Sequence, residues 1–450
     1  MMILNILIGL FGLGAVIFVH ELGHLVAAKL VGIDVEAFSL GWGRKLVGFT
    51  RGGTEYRISV FPIGGFCKMK GERSYATALE NDEDSIPQEP GSYFAAAPWK
   101  RIVALLAGPF ANILFAIAVV SIVWGIGFQF ETFPNRIILA SDYLELQEPT
   151  PADIAGLKTG DVITSLGGEA VTSYADVQQM IAQNALEPLR AEITRDGQRL
   201  SLTVTPALTK ETGAGYLGVY SWVEPTIESV LPDSPAEAAG FQSGDRIVSV
   251  NGVPVQHTLD FGVELDKSGS PAAVQVSRSG SLLGLQVSPN QEDQTIGVAF
   301  RTTTVRTPRL GLLGAIAKGT TETVKTLAIS VRSLRLLFQG VELTSAVAGP
   351  VRISYYIGDV ATSGFAIGFG EGLRSLSNFL ALLSTVLFFM NLLPIPVLDG
   401  GQIILALLEW IRRRPPRPRS IYRYQLVGSV VIVALLFFAL FGDILFLAGR

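Results

Sequence analysis

Four apolar stretches constrain this chain more than any other feature. Residues Ile3 to Leu30 are almost continuously apolar, and about Ile102–Phe128, Leu376–Leu393 and Tyr424–Leu447 follow the same pattern. At 1.5 Å per helical residue, such runs are long enough to cross about 30 Å of hydrocarbon. No Lys or Arg precedes the first run and no small-residue cleavage site closes it, so it reads as a span rather than a cleaved leader. Only 16% of the 450 residues are charged and 49% are hydrophobic, where a soluble domain carries about 25% charged residues. The net charge of −4 gives no sign of a nucleic-acid partner, and the expected surroundings are a lipid bilayer.

Basic residues orient the spans. The loop between spans one and two carries Arg44, Lys45, Arg51, Arg57, Lys100 and Arg101, among others. The loop between spans three and four carries Arg412, Arg413, Arg414, Arg417, Arg419 and Arg423. Both loops should be cytoplasmic, which leaves the termini and the long segment 129–375 outside. The expected division is a first span, 1–30; a cytoplasmic-side region with a membrane-associated β-loop, 31–101; and a second span, 102–128. Two β-rich domains at 129–210 and 211–306 and an amphipathic surface-helix region at 307–370 come next. A third span with its basic loop, 371–422, and a fourth span, 423–450, complete the chain.

The long segment repeats itself. Pro151-Ala152-Asp153-Ile154-Ala155-Gly156-Leu157 followed by Gly160-Asp161 recurs 84 residues later as Pro235-Ala236-Glu237-Ala238-Ala239-Gly240-Phe241 and Gly244-Asp245. That period suits a small domain duplicated in tandem: a short helix, a Gly-Asp turn, a strand and a turn such as Asn251-Gly252. The repeated signature resembles bacterial PDZ domains. Gly215–Val219 is expected to be a carboxylate-binding loop of the second copy. From Leu313 to Phe338, apolar residues recur at helical spacing beside Lys318, Lys325, Arg332 and Arg335. Two readings stand: a helix lying on the membrane surface, or one packed on the second repeat. Gly43–Glu72 reads as β-hairpins whose backbone could dip into the membrane only against protein or a wet cavity.

Chemistry concentrates in the first span, at His20-Glu21-Leu22-Gly23-His24. Residues i and i+4 share a helix face, so both imidazoles can reach one ion while Glu21 serves a water as general base. Buried ionisable groups are costly in hydrocarbon and call for a partner or a role. Zinc would need a third protein ligand and an open position. The single cysteine, Cys67, cannot supply a thiolate cluster. His257, in the second repeat, reads as an ordinary surface histidine. Asp399, in Asn391-Leu392-Leu393-Pro394-Ile395-Pro396-Val397-Leu398-Asp399-Gly400-Gly401, follows span three on the side where span one ends. Spacing alone leaves it open between a ligand and a surface Asp at a proline-rich helix end.

Together, the HELGH span, the LDGG element and the PDZ-like insert resemble the site-2 protease family of intramembrane metalloproteases over nearly the whole chain. The resemblance implies a polytopic helical membrane protein, four spans and a β-loop with two tandem PDZ-like domains. It implies zinc held by His20, His24 and Asp399, Glu21 as catalytic base, and Asn391 in substrate positioning. Gly108-Pro109-Phe110-Ala111-Asn112 resembles the family's GPxxN element, which adds Asn112 to the expected substrate contacts. Phe61–Met69 resembles its β-loop, with Phe66 and Cys67 where Tyr and Val are usual. The implied substrate is a single-span membrane protein, a membrane anti-sigma factor or a leftover signal peptide, cut in a bacterial inner membrane. The PDZ-like domains would filter substrates or recognise trimmed ones. A metal transporter would also place His and Asp in the membrane, but needs neither Glu21 nor the PDZ-like insert; a non-catalytic scaffold would tolerate loss of Glu21.

Overall fold

The computed structural model describes residues 2–290, 295–336, 339, 341 and 348–448. The chain forms two compact units, one built from Met1–Phe128 with Thr307–Arg450, the other from Gln129–Arg306. Among the described residues, four helices are long and apolar enough to cross a membrane: Met2–Val31 (α1), Pro98–Ile126 (α3), Phe369–Asn391 (α10) and Pro418–Ala448 (α12). Their outward faces stay apolar, with Phe11 on α1 and Phe437 on α12 well exposed, as lipid contact requires. A short helix, Glu72–Glu80 (α2), packs against α12.

α1 and α3 lie unusually close because glycine replaces side chains where they meet. A Cβ on Gly23 would fall 2.3 Å from the Ala107 carbonyl oxygen, and one on Gly108 would fall 2.2 Å from Nε2 of His24. Small residues at helix contacts let backbones approach where lipid offers no hydrophobic drive. Between α1 and α3, the strands Val35–Arg51 (β1) and Thr54–Met69 (β2) form a long antiparallel hairpin with several register shifts. Its inner end packs on α1 through Ile33, Val35 and Phe38, while Trp42, Phe49 and Phe61 remain exposed.

The unit Gln129–Arg306 holds two modules of one design. The first carries the helices Pro151–Ile154 (α4) and Tyr174–Gln183 (α5); the second carries Pro235–Ala238 (α6) and Thr258–Lys267 (α7). Each has a four-stranded antiparallel sheet, with Val162–Leu166 and Leu189–Arg195 central in one, Arg246–Val250 and Ala272–Arg278 in the other. Each buries the Asp of its Gly-Asp turn under a two-pronged arginine. Arg195 meets Asp161 and Arg278 meets Asp245, with both nitrogen–oxygen distances 2.7 Å in each pair. A buried carboxylate survives only with such satisfaction.

Two expectations are corrected here. Gly215–Val219 belongs to the first module, not the second: Val219–Ser221 pairs antiparallel with Ile137–Leu139, and Leu217 lies in that module's core at 2% exposure. The first module therefore runs past residue 210. The equivalent segment of the second module is Ile296–Phe300, where Val298–Phe300 pairs with Ile227–Val230. His257 is buried, not a surface residue; its Nδ1 accepts from the Asp260 N–H at the start of α7, and its ring packs edge-on against Trp222.

After the modules, Leu312–Leu336 (α8) packs on α3 and α10. Its contact face is built of Ala315, Gly319 and Thr323; Phe338, expected to close the apolar stripe, lies outside the described residues. The region to residue 370 is not surface helix throughout. Pro350–Ile367 (α9) packs against α1, α10 and α12. Gly9 and Gly358 make this possible, since a Cβ on either would run into the partner backbone, at Ser354 and Asn5 respectively. The chain then enters the helix Asp399–Arg412 (α11), which packs on α3.

Candidate metal centre and active site

α1 brings His20, Glu21 and His24 to one face, and the partners behind the rings fix their orientation. Nδ1 of His24 is 2.8 Å from the Ala104 carbonyl oxygen on α3, to which it can only donate. Nδ1 of His20 is 3.3 Å from the side-chain amide of Asn112. The amide oxygen of Asn112 is buried without a partner. Exchanging its oxygen and nitrogen, which are nearly indistinguishable in shape, lets that oxygen accept from His20 Nδ1–H. Both rings then carry their proton on Nδ1 and present a lone pair from Nε2.

Those lone pairs meet a carboxylate. Asp399 opens α11, and its Oδ2 lies 3.3 Å from His20 Nε2 and 3.5 Å from His24 Nε2; the two Nε2 atoms are 3.1 Å apart. Asp399 Oδ2 is buried with no hydrogen-bond donor. Three acceptors converging without a proton between them repel one another unless a cation sits among them. The spacing suits zinc, because ligand atoms about 2.0–2.1 Å from a tetrahedral ion stand about 3.3 Å apart. The donor set and its geometry therefore fit the ion, and hydrogen bonds from the far ring nitrogens to Ala104 and Asn112 are the kind that orient metal-binding histidines.

The LDGG turn aims Asp399. A Cβ on Gly400 would sit 2.3 Å from the Leu392 carbonyl oxygen, and one on Gly401 2.2 Å from that of Ile395, so the segment after α10 folds tightly back on itself. Val397 completes the turn at φ +90°, a conformation a β-branched residue adopts only under constraint.

A cleft of about 570 Å³ opens on the three ligand candidates, and its wall includes Glu21, Trp42, Phe66, Asn391, Val397 and Gln402. Glu21 lies against the hairpin, with Gly65 beside its side chain. Asn391, the last residue of α10, faces the same cleft. Asn112 does not fit the expectation of a substrate contact. It is fully buried behind His20, where it can orient the ring but touch nothing in the cleft. Sequence reasoning missed Trp42 and Gln402, together with Tyr93, which also lines the cleft, and the packing role of Gly108; only the Gly-Pro pair inside an apolar span hinted at the last.

The arrangement is that of a membrane-embedded hydrolase, and comparison with known proteins gives the class. Residues 8–435 match Peptidase family M50. The chain belongs to that family, the site-2 protease family of zinc metalloproteases. Among its relatives, the "Putative zinc metalloprotease" of Treponema pallidum is 36% identical over 448 residues, covering 99% of each chain. The Regulator of sigma-E protease RseP of Escherichia coli is 29% identical over 462 residues, covering 96% of each.

Proposed function

We propose that this enzyme hydrolyses peptide bonds within membrane segments of single-span proteins, using one zinc ion held by Nε2 of His20, Nε2 of His24 and Oδ2 of Asp399. The observation that carries the reading is the convergence of these three acceptors on one point, with Asp399 Oδ2 otherwise unpartnered, in a cleft that Glu21 also lines. When bound, zinc supplies Lewis acidity toward a carbonyl and toward water.

The protein's own groups do the rest. Asn112 and the Ala104 carbonyl hold the imidazoles in the Nδ1–H tautomer. Glu21 takes a proton from the attacking water and delivers it to the leaving amine. A substrate helix must unwind first, because its peptide groups are shielded and hydrogen-bonded within the helix. The free edge of the β1–β2 hairpin can pair with the unwound strand, and Asn391 sits where it can hold that strand against the wall of the cleft.

The basic loops favour a cytoplasmic side for the cleft and an outer side for the two modules. Both modules are taken as PDZ-like, screening or recognising substrates already shortened on the outer side. The family resemblance, with a relative named a regulator of sigma-E protease, favours a membrane anti-sigma factor as substrate and a bacterial inner membrane as the setting; leftover signal peptides have the same single-span chemistry. The test is cleavage of a model single-span substrate in detergent by the wild type and by Glu21→Gln, with zinc counted in both. Loss of cleavage with about one zinc per chain retained supports the assignment. Equal cleavage by both removes Glu21 from the mechanism.

A further inference from the structure

The end of α11 remote from Asp399 carries a feature that proteolysis does not use. Pro98, Glu409, Trp410, Arg413, Arg414 and Pro415 line a pocket of about 280 Å³. It lies beside Pro98, where α3 begins, and just before Pro418, where α12 begins, so it sits at the membrane face from which both spans depart.

The charge of this pocket is positive. Glu409 is already committed to Arg101, at 2.5 Å. Arg413 and Arg414 are exposed, and neither takes part in an ion pair or side-chain hydrogen bond with the described residues. Arg417 and Arg419, a turn further on, are by contrast paired with Asp84 and Asp82. The basic pocket adjoins an apolar surface: Leu407, Leu408, Trp410 and Ile411 are exposed on the last turns of α11, with Trp99 exposed at the start of α3. α11 is too short to span a bilayer, and a helix with this distribution lies in the interface. Interfacial Trp beside unpaired Arg is the chemistry of a phospholipid's phosphate and upper acyl chains.

We propose that this pocket binds the headgroup of an anionic phospholipid, its phosphate on Arg413 and Arg414 and its chains along Leu407, Leu408 and Ile411. A free phosphate would leave the apolar face uncovered. A soluble acidic protein would have to desolvate that face at the membrane boundary.

The experiment uses the full-length enzyme in detergent with phosphatidylglycerol or phosphatidylcholine added, and native mass spectrometry counts the lipid retained. Wild type should retain phosphatidylglycerol in preference to phosphatidylcholine. With each arginine contributing about 1 kcal/mol near such a headgroup, Arg413→Gln with Arg414→Gln should weaken retention about 30-fold. Arg44→Gln with Arg51→Gln removes equal charge elsewhere and should change little. Arg413→Lys with Arg414→Lys should keep most of the binding, which separates charge from misfolding. Brominated phosphatidylglycerol should quench fluorescence in the wild type more than in Trp410→Phe. Equal retention of the two lipids, no loss in the Gln pair, or displacement of lipid by equimolar inorganic phosphate would overturn the proposal.

Discussion

Replacing Gly108 by Ala adds one methyl group at the point where α3 meets the proposed ligand His24. The new Cβ would lie 2.2 Å from His24 Nε2, against at least 3.4 Å for an ordinary contact. One side must therefore move by about 1.2 Å. The backbone has little room, because Gly23 already holds α1 against Ala107, so the imidazole must swing. Metal ligands tolerate displacements of only about 0.2 Å. Disturbing outer-shell partners alone costs 10–100-fold in metal affinity, so a displaced ligand should cost about 100-fold or more. Overpacking should also lower stability by about 1–3 kcal/mol. The assay is zinc affinity by competition with a chelator, together with thermal unfolding in detergent. Gly125→Ala, on the same helix, is the control. Its Cβ would meet Ala315 at 3.7 Å and the Leu310 carbonyl oxygen at 4.0 Å, both ordinary contacts, and the substitution should be neutral or stabilising by up to about 1 kcal/mol. If Gly108→Ala binds zinc and melts as the wild type does, Gly108 does not abut a metal-binding His24 and the site geometry is wrong.

Asn112→Ala should lower zinc affinity by about 10–100-fold by releasing His20 Nδ1, whereas Asn112→Asp, which keeps an acceptor, should retain most of it; chelator competition distinguishes the two. Glu409→Ala strands Arg101, whose side chain is 6% exposed. It should destabilise the protein by about 3–5 kcal/mol, while Arg101→Met with Glu409→Leu should cost much less; thermal unfolding reads both. Burial holds the pKa of His257 below its usual value, with Arg136 acting in the same direction and Asp260, Glu224 and Asp142 opposing. The native state then prefers the neutral ring, so its stabilisation is complete above about pH 6.5 and declines as pH falls from there toward the lowered pKa. Amide exchange in α7 should quicken over that window, and His257→Ser, matching Ser173 in the first module, should abolish the pH dependence.

The local patterns were legible without coordinates. Apolar length defined the four candidate spans, because a helix in lipid must satisfy its own backbone whatever its neighbours do. The i, i+4 spacing put His20 and His24 on one face, because helix geometry is local. The 84-residue offset exposed the duplication, and with it the paired Asp161 and Asp245 turns.

What tertiary structure decided was distance between parts far apart in sequence. Asp399 was undecided between ligand and surface residue until the Gly400-Gly401 turn put its carboxylate against two imidazoles that arise 375 or more residues earlier. Asn112 looked like a substrate contact, because sequence does not say which face of α3 turns toward α1; the close approach at Gly23 and Gly108 turned it behind His20. The Gly215–Val219 segment follows the first repeat in sequence, and only the burial of Leu217 in that module's core and the pairing of Val219–Ser221 with Ile137–Leu139 assigned it to that module. α9 escaped notice because its burial depends on glycines of α1, three hundred and fifty residues away, and not on any periodicity of its own. Periodicity is set by neighbours along the chain, while a site is set by packing across it, and here glycine contacts decide which side chains can meet.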